Sequence, residues 1–200
     1  MESQPNLPAA GEALGPWMRW LDDVSQSAIS LTVGLISGSR NPNDRHSLDR
    51  LAATGLNEVA SKGLVIRLLA GNESATKHQL RTARSSEQLP TPVASPLGAW
   101  REIALPISSG TSGSRTLEHL PRWLSEWKRQ HRRVFLDLGA IDQPMCRALG
   151  RYCDACLLLL GPHTAASPAW LRQQIDHLTR CDVHIAGSIV LGQQPATLAG

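Results

Sequence analysis

A rhythm in the chain constrains its fold more than any single residue does: apolar runs of strand length alternate with stretches whose apolar residues recur at helical spacing. The runs are Ile29 to Ile36, Leu64 to Leu69, Trp100 to Ile107, Val134 to Leu138, Ala155 to Leu160 and His184 to Leu191. Between them lie Leu48, Leu51, Ala52, Leu56 and Val59 before a Lys62-Gly63 stop, and Leu120, Trp123, Leu124 and Trp127 behind Pro121. Pro121 is read as the first turn of its helix. A short helix follows over Pro144 to Arg151, and Ser167-Pro168 makes a cap and first-turn pair for a helix through Thr179. Short, wholly apolar strands need cover on both faces, so the order predicts an α/β domain with a mainly parallel sheet between helical layers.

Two hundred residues are enough for one domain that buries roughly 70% of its unfolded surface without staple or metal. At 42% hydrophobic and 18% charged residues the composition is globular. The run Ala155 to Leu160 is far too short to cross a bilayer. Met1 to Gly15 holds no basic segment leading into an apolar one, so no secretory signal is expected and the cytoplasm is the expected address. In that reducing compartment Cys146, Cys153, Cys156 and Cys181 are expected as thiols. A net charge of +3 does not call for a nucleic-acid partner.

Residues 1–28 read as a tail and a docking helix, the latter over Glu12 to Val24 with Trp17, Trp20, Leu21 and Val24 on one side. Residues 29–200 form the domain. Within it, Gly71 to Gly98 is rich in Ser, Thr, Pro, Gln and charge, and is expected to be a long mobile connection.

Several local features invite chemistry. Ser109, Gly110, Thr111, Ser112, Gly113, Ser114 and Arg115 offer hydroxyls, flexible backbone and a cation ahead of a helix, a candidate phosphate or sulfate loop. Cys153 and Cys156 form a CxxC, but no second CxxC or His-x-x-x-His accompanies it, so no metal site is expected and buried thiols are the ordinary reading. Lys128, Arg129, His131, Arg132 and Arg133 sit where cations suit a helix C-terminus, as a solvated face. Trp123 and Trp127, one turn apart, are either core or, with Trp17 and Trp20, an exposed patch for protein partners.

Three further stretches carry a family likeness. His131-Arg132-Arg133-Val134-Phe135-Leu136-Asp137-Leu138-Gly139 is similar to a strand ending in a Walker B aspartate. The run from Arg147 to Leu158, with Asp154 ahead of its strand, is similar to the helix-Asp-strand that follows. Leu120-Pro121-Arg122-Trp123-Leu124-Ser125-Glu126-Trp127 is similar to the helix before Walker B in the kinase branch. In this order they resemble the deviant Walker A ATPases, the division-site and plasmid-partition group, and within it the cytoplasmic tyrosine-kinase domains that regulate capsule and exopolysaccharide export. The resemblance implies a P-loop NTPase-like three-layer fold, Mg-ATP chemistry, and partners such as a membrane polysaccharide co-polymerase, an active ATPase homologue or further copies of the chain.

The residues that should carry that chemistry depart from the pattern. A working loop needs glycines whose amides face the phosphates, a lysine, and a hydroxyl for Mg²⁺. Here the loop reads Gly38-Ser39-Arg40-Asn41-Pro42-Asn43-Asp44-Arg45-His46-Ser47, and the first lysine of the chain is Lys62. Pro42 removes an amide, and Asp44 stands near the lysine position. A carboxylate about 4 Å from a phosphate costs on the order of 4 kcal/mol at an effective dielectric of about 20, where lysine gains as much. The next acidic motif is empty, since Ile66 to Asn72 holds no carboxylate, and Tyr152 is the sole tyrosine where the kinase branch ends in a cluster. Asp137 is thus expected as a remnant, no catalytic residue or cofactor is expected, and the chain is expected to bind rather than turn over. The alternative is an atypical ATPase or tyrosine kinase that binds Mg-ATP weakly, with Asp137 on Mg²⁺ and Arg40 or Arg45 on phosphate.

Overall fold

A computed structural model of the chain describes residues 30–38, 63–70, 89–94, 101–107, 111–161 and 167–190, together with Arg19 and Asp23. Arg19 and Asp23 are helical and exposed, within the span expected for the docking helix. The remainder of that helix, the one expected over Leu48 to Val59, and most of the 71–98 connection lie outside the described residues.

Seven strands form one sheet: β1 (Leu31–Ser37), β2 (Gly63–Ala70), β3 (Val93–Ala94), β4 (Arg101–Ile107), β5 (Arg133–Ala140), β6 (Ala155–Leu160) and β7 (Ile185–Val190), in the spatial order β3-β4-β2-β5-β1-β6-β7. Every pair is parallel except β3 with β4. The antiparallel β3 falls inside the stretch read from sequence as a connection, where its two residues are too few to leave a periodic signal. The helices are α1 (Thr111–Gln130), α2 (Pro144–Gly150) and α3 (Pro168–Thr179). Among the described residues no helix is long and apolar enough to cross a membrane.

Because side chains alternate along a strand, each central strand serves two faces. Ile36, Leu64, Ile66, Val134, Leu136, Leu138, Cys156 and Leu158 join Leu120, Trp123, Leu124 and Trp127 of α1 and Cys146 and Leu149 of α2 in one core. On the other face Leu31, Val33, Leu35, Val65, Phe135, Leu157 and Leu159 are equally buried. The wholly apolar run of β6 follows from this two-sided burial.

Helix α1 departs from the sequence reading in two ways. It begins at Thr111, and Pro121 lies inside it. An interior proline forfeits one helical hydrogen bond and costs about 3 kcal/mol. Each large apolar side chain taken fully from water returns roughly 1.5–3 kcal/mol, and Leu120, Trp123, Leu124 and Trp127 are all buried. Packing therefore overrides the proline. Trp123 and Trp127, with ring centroids 6.1 Å apart, belong to this core and form no exposed patch. Trp17 and Trp20 lie outside the described residues. The basic group divides as well: Arg133 is only 6% exposed, within β5.

The edge holding the amino ends of β1 and β6 is fastened by Asp154. Its Oδ2 accepts from the Thr32 amide at 2.7 Å, its own amide donates to the Thr32 carbonyl at 2.9 Å, and Lys128 Nζ donates to both carboxylate oxygens. Asp154 thus ties α1, β1 and β6 together at the end of the sheet opposite the candidate site.

Candidate functional site

Parallel strands bring their carboxyl ends to a common edge. From β1 the chain passes to β2 beyond β5, whereas from β5 it passes to β6 beyond β1. Connections leaving in opposite directions open a crevice between β1 and β5, the place where open α/β sheets bind ligands. Ser37 and Gly38 close β1 there, and Asp137 to Ala140 close β5.

The end of β5 is shaped by a bulge. Leu35 pairs with Asp137 but Ile36 pairs with Gly139, so Leu138 is an extra residue on its strand. Gly139 takes φ +74°, a conformation open to glycine, and its amide donates to Asp137 Oδ1 at 3.0 Å. The half-buried carboxylate is therefore oriented by its own strand's backbone. Behind the bulge the Cys146 thiol donates to the carbonyls of Leu138 at 3.2 Å and Ala140 at 3.0 Å. Burial pushes that thiol far up, and the nearby Cys156, Asp137 and Asp142 add in the same direction. The chain then turns through Gln143, whose amide donates to the Ala140 carbonyl, into α2.

The end of β1 is held just as closely. The Ile141 amide donates to the Ser37 carbonyl at 2.8 Å, and the Gly38 amide donates to the Leu159 carbonyl of β6 at 2.8 Å. The first amide of the expected phosphate loop is thus spent inside the sheet.

Gly38 and Asp137 are accordingly brought to one edge. Ser39, Arg40, Asn43, Asp44, Arg45, His46 and Ser47 lie outside the described residues, as do Ser109 and Gly110. The candidate anion loop needs correction: Thr111, Ser112, Gly113, Ser114 and Arg115 are the opening turns of α1. The apolar periodicity starts only at Leu117, so hydroxyls and glycine ahead of it resemble a loop although the packed turns behind them carry the helix forward. Cys153 and Cys156 are buried free thiols, and Cys153 is raised by its hydrogen bond to Cys156 and by burial. A buried, protonated thiol is a poor nucleophile and a poor metal ligand. Among the described residues no three metal-ligating side chains converge. Gly139 and Cys146, which set the bulge, were not singled out from sequence; a glycine two residues beyond an aspartate inside a strand pattern is the signal that marks such a bulge.

No protein-family model matches the chain, and no curated protein is similar to it. Solved structures are. The VpsO kinase domain superposes with a TM-score of 0.69 at 14% identity, covering 92% of this chain and 95% of its own. The kinase domain of the Escherichia coli tyrosine kinase ETK gives 0.65 at 13% identity, covering 100% and 86%. The MinD cell division protein of Aquifex aeolicus gives 0.54 at 15% identity, covering 80% and 69%. The fold is the P-loop NTPase-like α/β fold that these proteins share. At these identities the likeness is one of architecture, and within the P-loop fold the edge carrying Gly38 and Asp137 is the one expected to face a ligand.

Proposed function

We propose that this chain is a catalytically inactive P-loop-like domain that acts as a binding or regulatory module. Residues 29–200 form the domain, 71–98 its connection, and 1–28 a docking segment. The reading rests on one observation: the loop from Gly38 to Ser47 has no lysine, the first of the chain being Lys62, and carries Pro42 and Asp44 where a phosphate cradle needs a donor and a cation. The Gly38 amide engaged on Leu159 and the Asp137 carboxylate engaged by Gly139 support it. Mg-ATP therefore does not fit this donor set.

Its resemblance to kinase domains of the export-regulating group supports exopolysaccharide or capsule export as the proposed setting, with the chain in the cytoplasm. The partner is then a membrane polysaccharide co-polymerase, which would hold the chain at the inner membrane, or an active ATPase homologue. Titration calorimetry with Mg-ATP tests the reading. Absence of heat at millimolar nucleotide supports it, and micromolar binding abolished by Asp137→Ala overturns it in favour of an atypical ATPase or kinase.

A further inference from the structure

The two edges of the sheet are unlike. Edge strands expose unpaired backbone groups, and proteins blunt them by shortness, charge, proline or cover. β3 is blunted by shortness, at two residues. β7, Ile185-Ala186-Gly187-Ser188-Ile189-Val190, has six residues with neither charge nor proline, and among the described residues it pairs only with β6. Ala186, Ser188 and Val190 are exposed, Val190 by 67%.

The strand is also complementary to itself. If two copies pair antiparallel about a two-fold axis through Ser188, the pairs keep their faces only when the residue numbers differ from 188 by equal and opposite amounts. Ser188 then meets Ser188, Val190 meets Ala186, and on the other face Ile189 meets Gly187. Large stands opposite small in both mixed pairs. A Cβ added at Gly187 would touch nothing within 4 Å, so space is open beside the position that Ile189 of a second copy would approach. Lack of charge on the strand removes the like-charge penalty that self-pairing otherwise carries.

We infer that β7 is a self-association edge, through which two copies of this chain join their sheets into one continuous sheet. The pairing is independent of the nucleotide question, because β7 lies at the edge of the sheet and the β1–β5 crevice at its centre. An isologous strand interface of this kind has a specific test, since residue 188 faces itself. Ser188 is exposed, so Ser188→Lys and Ser188→Glu leave the protomer's packing intact. Each alone places like charges side by side and is expected to weaken dimerisation on the order of 10- to 100-fold. An equimolar mixture of the two variants is expected to recover the dimer. Sedimentation equilibrium of the full chain over a concentration series reads all three. A monomeric unsubstituted chain overturns the inference. So does a dimer indifferent to both substitutions, and so does a mixture that stays monomeric.

Discussion

Gly34 offers the sharpest test of how the centre of the sheet is packed. It lies in β1 between β5 and β6, and a Cβ there would stand 2.6 Å from Cys156 Sγ, 2.8 Å from Leu138 Cδ1 and 3.0 Å from Cys153 Sγ, where ordinary contact begins at 3.4 Å. These atoms have little room to retreat. Both cysteines are buried, and the Cys156 thiol leans on the Gly150 carbonyl at 3.7 Å. Overpacking of this kind costs about 1–3 kcal/mol, offset by roughly 0.5–1 kcal/mol because alanine surrenders less conformational freedom than glycine. Gly34→Ala should therefore lose on the order of 1–2 kcal/mol in urea unfolding, or about 2–8 °C in Tm for a domain of this size. Cys156→Ala removes the nearest obstacle. In that background, with Leu138 Cδ1 and Cys153 Sγ still close, Gly34→Ala should cost less, giving a coupling above about 0.5 kcal/mol. A Gly34→Ala protein as stable as the parent, or an equal loss in both backgrounds, would refute the packing argument.

Other expectations follow from the same geometry. Gly139→Ala forces a side chain into φ +74° and should destabilise by about 1–2 kcal/mol, measured by denaturant unfolding, with Gly139→Asn losing less. Asp154→Ala leaves the Thr32 amide without its carboxylate and should cost about 1–3 kcal/mol. Lys128→Ala should cost less than about 1 kcal/mol, because the ion pair is 33% and 41% exposed. The folded protein holds Cys146 and Cys153 well above the ordinary thiol value of 9.0. Raised folded values mean full stability below 9.0 and loss above it, as the unfolded chain ionises first. Unfolding free energy should fall on the order of 1 kcal/mol per pH unit for each thiol in that alkaline range, and Cys146→Ala should flatten the slope.

Local structure was legible where the sequence signal is local. The apolar run of β6 and the Ser167-Pro168 start of α3 appear where they were read, since a strand buried on both faces and a capped proline turn announce themselves within a few residues. The bounds of β1, β2, β5 and β7 shifted by one or two residues. Strand order was not legible, because nothing in the periodicity of β5 says that it inserts between β1 and β2. The start of α1 was missed because its opening turns carry loop-like residues and its stability comes from Leu120, Trp123, Leu124 and Trp127 further on. At the candidate site Asp137 was recognisable as a strand-end carboxylate. The bulge that turns Gly139 back onto it depends on a register with β1 and a thiol from α2, both remote in sequence.

The claim on which the functional account turns is that the β1–β5 edge cannot grip a triphosphate, and thermal unfolding with and without millimolar Mg-ATP measures it directly. A ligand at about 1,000 times its Kd stabilises the folded state by about 4 kcal/mol, which is on the order of 10 °C in Tm for a domain of this size. The account predicts superimposable melting curves. A nucleotide-dependent rise of that size, lost in Asp137→Ala, would contradict it.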